Sequence, residues 1–296
     1  MIVIRTPEKR FNNLEDYPFR ARYIKIRGLN MHYVDEGAGS ETVLCLHGEP
    51  TWSYLYRKMI PYLAQRHRVI APDFIGFGKS DKPTQLKDHH IHLHLDLLRD
   101  FILTLDLNHI TLVCQDWGGI LGLTVATDFT SRFKRLVIMN TGLPTGDQPM
   151  PEGFLRWRDF AVKRGTALEP GKLMAISSKA HHLSEAVIQA YDAPFPDASY
   201  RAAVAQFPLM IPLEANQPEA LIFQQTREKL RSFNGPTLVM FSEDDPVTAG
   251  GEQFFHQLIP GAQRYRPVII KNAGHFLQET QGPQLSKYIL RFMEKT

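Results

Sequence analysis

The chain has 296 residues, of which 43% are apolar and 22% charged, with a net charge of +3; that suits a soluble globular protein with one large domain and room for an insertion. No long basic run is present, which argues against nucleic acid or an anionic membrane surface as a partner. No run approaches the roughly 18 apolar residues of a transmembrane helix, and the apolar stretch before Arg5 is too short for a secretory signal.

Cys45 and Cys114 both sit inside apolar strand-like runs. They read as reduced core residues of a cytoplasmic protein, with neither a disulfide nor a metal site.

In chain order, residues 23–27 and 31–35 read as two opening strands, and 42–48 as a buried strand ending in Gly48. A helix is expected over 54–65, a strand over 68–72, a helix over 91–106 and a strand over 110–115. A helix follows from Gly118, then a strand over 135–140. Continuous apolar runs separated by helices imply a mostly parallel sheet covered on both faces. Residues 142–215, rich in proline and aromatics, hold short helices and no convincing strand. Alternation then resumes with a helix near 217–231, a strand over 237–241, a helix near 250–258, a strand over 264–270 and a helix over 281–294. The division is therefore a core of 1–141 and 216–296 with an inserted helical cap, 142–215, over the carboxyl ends of the strands. Open α/β sheets place ligand sites at that edge.

Cys114-Gln115-Asp116-Trp117-Gly118 joins a strand to a helix through a sharp turn. That is the setting of a nucleophile elbow, which lifts one side chain above the sheet. Asp occupies the usual serine position. A carboxylate is already ionised near neutral pH and can displace a leaving group from carbon, forming an ester. Read alone, Asp116 serves equally well as a helix N-cap. Ala273-Gly274-His275-Phe276, after the last strand, supplies a late histidine where this fold places its base. A neutral imidazole could take a proton from water attacking the ester. After the preceding strand, Glu243-Asp244-Asp245-Pro246 offers the acid that would orient it. Asp245 is at the usual place and Asp244 is the fallback; Glu243 and Asp244 read otherwise as a solvated acidic turn. His47-Gly48-Glu49-Pro50 follows the strand that supplies half of an oxyanion hole, so the backbone N–H groups of Glu49 and Trp117 are expected to face the developing charge.

Two motifs fail. Gly78-Lys79-Ser80 ends like a phosphate-binding loop, but the earlier glycine is Asp73, and Pro83 follows where a helix should start. Of His89, His90, His92 and His94, His90 and His94 share a helical face. No intervening Glu and no third ligand accompany them, so a solvated helix start is expected.

Asp116-Trp117 together with HGEPTWSYLYR (47–57) resembles the haloalkane dehalogenases of the α/β-hydrolase superfamily, most closely the subfamily acting on small terminal dihaloalkanes. The likeness extends over RTPEKRF (5–11), APDFIGFGKSDKP (71–83), QDWGG (115–119), SRFKRL (131–136), AYDAPFPD (190–197) and AGHF (273–276). The resemblance implies Asp116 as nucleophile, His275 as base and Asp245 as acid. It implies halide held by the indoles of Trp117 and Trp157, and Glu49 near the hydrolytic water. Phe154, Phe207, Pro208, Ile120, Ile211 and Val247 become candidate cavity walls. Ile120 stands where some relatives carry an aromatic, which leaves substrate preference open. The expected partners are a haloalkane, halide and water, with no metal or organic cofactor, in a monomer.

The nearest rival is an epoxide hydrolase with the same Asp–His–Asp core, which would need Tyr191 and Tyr200 to protonate the epoxide. A fluoroacetate dehalogenase would carry Arg where Trp117 stands. A non-catalytic binding protein on this fold, such as a hormone receptor, would not need the intact acid–base set.

Overall fold

The structure is a computed structural model and describes residues 1–178 and 182–296. Its strands are β1 (Val3–Ile4), β2 (Arg22–Ile26), β3 (Leu29–Glu36), β4 (Thr42–Leu46), β5 (Arg68–Pro72), β6 (Lys82–Pro83), β7 (Ile110–Gln115), β8 (Phe133–Met139), β9 (Thr237–Ser242) and β10 (Val268–Ile270). Its helices are α1 (Ile60–Leu63), α2 (Ile91–Thr104), α3 (Trp117–Asp128), α4 (Glu152–Arg164), α5 (Pro170–Ser177), α6 (Glu185–Asp192), α7 (Ala202–Gln206), α8 (Pro218–Leu230), α9 (Gly251–Leu258) and α10 (Leu277–Glu294). Eight strands form one sheet in the order β10-β9-β8-β7-β4-β5-β3-β2. Within this sheet the described pairings of β3 with β2 and β5 are antiparallel and the rest parallel. This is the α/β-hydrolase fold.

Every residue of β4 and β7 is buried, because helices cover both faces of the sheet. Alternation along each strand splits the core in two. Leu44, Leu46, Leu112 and Cys114 face one cluster with α2, α3 and α8. Val43, Cys45 and Val113 face the other with α1 and α10. The chain runs from β4 to β5 on one side, then returns to place β7 on the other side of β4. That reversal opens a crevice above the carboxyl ends of β4 and β7, where the fold holds ligands. Between β8 and β9 the described residues contain α4–α8 and no strand.

Several elements depart from the pattern expected of the sequence. The helix expected over 54–65 is a 3-10 turn, Ser53–Tyr56, followed by the single-turn α1. Pro61 lacks an N–H and is tolerated only in a first turn, so it forces a fresh start. The strand expected over 264–270 pairs only over Val268–Ile270, since Pro267 offers the ladder no donor. The last helix starts at Leu277, earlier than its pattern indicated, and kinks at Gln281, two residues before Pro283. β1 and β6 pair as a two-residue ribbon that no periodicity announced.

Candidate active site

Asp116 sits at the turn between β7 and α3 with φ 51° and ψ −128°. A non-glycine residue there carries strain on the order of 1–3 kcal/mol, held by its surroundings. Its N–H donates to Asn140 O at 2.9 Å, and Thr141 Oγ1 donates to its carbonyl at 2.6 Å. Two glycines make room. A Cβ on Gly118 would lie 2.1 Å from Leu46 O, and one on Gly48 would lie 2.2 Å from Asp116 Oδ1. Although it precedes α3, the Asp116 side chain caps nothing. Its Oδ1 instead accepts the Glu49 N–H at 2.8 Å.

His275 lies in the loop between β10 and α10. Its Nδ1 is 2.9 Å from Asp245 Oδ2 and its Nε2 is 3.5 Å from Asp116 Oδ2. A carboxylate acceptor at Nδ1 assigns the proton to that nitrogen and leaves Nε2 facing Asp116. Asp245 also accepts the Val247 N–H at 2.9 Å and the Thr248 hydroxyl. Burial alone would disfavour the imidazolium. The carboxylates of Asp245 and Asp116 overcome it and lift His275 to about 10. Burial works against ionised Asp245, and the His275 charge more than offsets it, keeping the acid below the usual carboxylate range. Glu49 is pushed well above that range, first by burial and then by Asp116.

Three further residues hold this constellation. Asn140 Nδ2 donates to Gly274 O at 2.9 Å and His275 O at 3.0 Å, while its Oδ1 accepts the Ser242 N–H. One side chain thus ties the ends of β8 and β9 to the histidine loop. Gln115 Nε2 lies 3.0 Å from His275 Nε2. Asp244, the fallback acid, accepts the N–H groups of Ala273 and Gly274 and shapes the histidine loop, leaving Asp245 to face the ring. The only sequence signal for Asn140 and Gln115 is that each sits at the carboxyl end of a core strand.

A cavity of about 440 Å³ opens above these groups, lined by Glu49, Asp116, Trp117, Trp157 and His275 among others. Of the expected walls, Ile120, Phe154, Pro208, Ile211 and Val247 line it. Phe207 does not; its ring lies edge-on to Trp117, with centroids 4.8 Å apart.

Residues 41–281 match the family described as alpha/beta hydrolase fold. The chain is 43% identical to a haloalkane dehalogenase of Psychrobacter cryohalolentis, over 99% of its own length and 98% of the relative's. It is 40% identical to one from Mycolicibacterium paratuberculosis, over 99% of each chain. The tetrameric haloalkane dehalogenase DpaA of Paraglaciecola agarilytica NO2 superposes with a TM-score of 0.89, at 38% identity over 97% of each chain.

The chain belongs to the haloalkane dehalogenase family. It is a hydrolase that acts on carbon–halogen bonds.

For a haloalkane dehalogenase, the tryptophans are informative. Trp52 is fully buried and its indole N–H donates to Ala190 O at 3.2 Å. Trp117 and Trp157 line the cavity, and neither indole N–H has an acceptor among the described residues. Indole is a donor with no acceptor function, so both are open to an anion. The tyrosines an epoxide hydrolase would need are elsewhere. Tyr191 is fully buried and donates to Glu279 Oε2 at 2.6 Å, and neither it nor Tyr200 lines the cavity.

The two discarded motifs have structural work. Lys79 donates its N–H to Asp73 Oδ2 at 2.8 Å, so that loop wraps a buried carboxylate and not a phosphate. The histidine cluster corrects its expectation in part. His90 and His92 are exposed, and His90 accepts the Leu93 N–H as a helix cap. His89 and His94 are instead buried and stacked, with centroids 5.6 Å apart, and His94 packs on Phe207. The segment after β8 covers this end of α2, which a helical pattern alone does not reveal.

Proposed function

We propose that Asp116 Oδ2 attacks the halogen-bearing carbon in line. The carbon–halogen bond breaks as the carbon–oxygen bond forms, and the indoles of Trp117 and Trp157 receive the halide. In a dry cavity such neutral donors stabilise a departing anion without the tight ion pair that a Lys would form. Water then adds to Asp116 Cγ. His275, oriented by Asp245, takes its proton, and the Glu49 N–H donates to the oxyanion. Collapse expels the alcohol and regenerates the carboxylate, with net release of one proton. No metal or organic cofactor enters these steps. Glu49 is the side chain placed to hold the water.

The same carboxylate that begins the cycle also governs its second half. While Asp116 is ionised it favours the charged imidazole. Alkylation removes that charge, lowers the affinity of His275 for its proton, and produces the base when water must be activated.

The observation that carries this reading is an elbow carboxylate sharing a cavity with two indole donors that have no acceptor among the described residues. Residues 142–215 act as the cap that supplies Phe154 and Trp157, with 1–141 and 216–296 as core. Small terminal haloalkanes suit the apolar walls. We further propose a cytoplasmic monomer; none of the described helices is long and apolar enough to cross a membrane. Size-exclusion chromatography with light scattering tests the monomer against the tetramer described for DpaA.

Halide release from a haloalkane panel, run beside an epoxide panel, tests the chemistry. Halide and alcohol in equal amounts are expected. Epoxide opening without halide release would contradict it.

A further inference from the structure

The cavity runs from a buried catalytic end to an exposed rim. Asp116, Trp117 and His275 form the inner end. Asp147, Gln148, Pro149, Ala249 and Gly250, all exposed, form the rim. Among the described lining residues one is a Lys or Arg, and it is Arg227 of α8.

Arg227 is held in place by its inner atoms. Its Nε donates to Leu143 O at 2.7 Å, and its guanidinium lies 4.8 Å from the centroid of Phe254, itself a lining residue. The side chain is only 20% exposed. The outer guanidinium nitrogens have no hydrogen-bond acceptor among the described residues. The nearest anion, Asp147 Oδ1, is 4.0 Å from Nη1, too far for a hydrogen bond. Asp147 is also half exposed and its Oδ1 is engaged by the Thr145 hydroxyl. A fixed, partly desolvated guanidinium with unused N–H groups recognises carboxylates well, because two parallel charge-assisted bonds fit its planar fork.

We propose that Arg227 is a specificity-determining residue that takes the distal carboxylate of an ω-haloalkanoate whose halogen-bearing end lies at Asp116. The inference rests on the dehalogenase reading for the inner end and adds a charged-tail subsite at the rim. Asp147 opposes it: its carboxylate partly satisfies Arg227 and repels an entering anion. The two residues therefore pull substrate preference in opposite directions.

The test is kcat/KM for ω-bromoalkanoates of increasing chain length against neutral 1-bromoalkanes of equal length, in the wild type, Arg227→Met and Asp147→Asn. In the wild type the carboxylate-to-neutral ratio should peak at one chain length, carried mainly by KM and weakened by salt. Arg227→Met should lower that peak about tenfold and Asp147→Asn should raise it, both leaving neutral substrates within about twofold. A ratio with no peak, or one that neither variant moves, overturns the proposal. So does an unchanged ratio accompanied by weaker bromide product inhibition in Arg227→Met, because the anion recognised would then be the leaving halide. Turnover of the neutral bromoalkanes tests the dehalogenase reading separately.

Discussion

His275 Nε2 and Asp116 Oδ2 stand 3.5 Å apart, close enough to interact as charges and too far for a strong hydrogen bond. The contact lets the histidine sense the charge of the nucleophile without fixing it in one pose. A base that had to deprotonate its nucleophile would need closer contact, and a carboxylate does not require that service.

This spacing predicts different pH dependences for the two chemical steps. His275 is lifted to about 10 by Asp245 and Asp116 together, and alkylation removes the share that Asp116 supplies. In rapid-quench single turnovers, alkylation should vary little between pH 6 and 9, in roughly the range where a carboxylate is ionised. Ester hydrolysis should rise with pH through an apparent pKa lower than that of His275 beside the ionised nucleophile, since the neutral imidazole is the active form. Hydrolysis that falls with rising pH would contradict the assignment.

Asp245 holds the ring through Nδ1 and favours its charged form. Asp245→Asn removes that charge and permits the wrong tautomer. Hydrolysis should slow by at least about a hundredfold while the alkylation burst survives, with a burst amplitude near one per site. Quenched-flow halide release reads both quantities. Loss of the burst itself would show that Asp245 acts earlier than proposed.

Trp157→Phe removes one halide donor and preserves an aromatic ring in α4. A hydrogen bond to a charged group contributes about 1.5–3 kcal/mol, so cleavage of the carbon–halogen bond should slow by about tenfold to a hundredfold. Bromide quenching of tryptophan fluorescence should weaken in parallel. Unchanged bromide affinity would remove Trp157 from the halide site.

Glu279 gives a stability prediction away from the chemistry. It accepts Arg57 at 2.6 and 2.7 Å, Lys58 at 2.9 Å and the Tyr191 hydroxyl, joining α10 to the loop after β4 and to α6. Burial alone would raise its pKa; Arg57 above all reverses this and holds it at about 2, against 4.5 in a free side chain. A depressed carboxylate contributes stability above its unfolded pKa that is lost as pH falls through the folded value. The loss should amount to about 3 kcal/mol between pH 5 and 2. Glu279→Gln should be less stable at pH 7 and show a shallower decline over that window. Denaturant titrations at a series of pH values measure both, and parallel curves would contradict the assignment.

The sheet was legible because buried parallel strands read as apolar runs such as ITLVCQ, and the elbow because few other contexts place Asp-Trp-Gly after such a run. His275 and Asp245 followed from their places after β10 and β9. Asn140 and Gln115 did not, since their roles depend on loops 100 or more residues away that meet only in the folded chain. The burial of His89 and His94 was hidden for the same reason. Short-range pattern also misjudged residues 54–65 and 264–270, where single prolines outweighed apolar periodicity.

The covalent role of Asp116 is tested most directly by intact-protein and peptide mass spectrometry of His275→Phe after exposure to a bromoalkane. One alkyl increment per chain is expected, located on the peptide containing Asp116, with halide released in equal amount and little further turnover. An unmodified protein that still releases halide, or an increment on another residue, would contradict it.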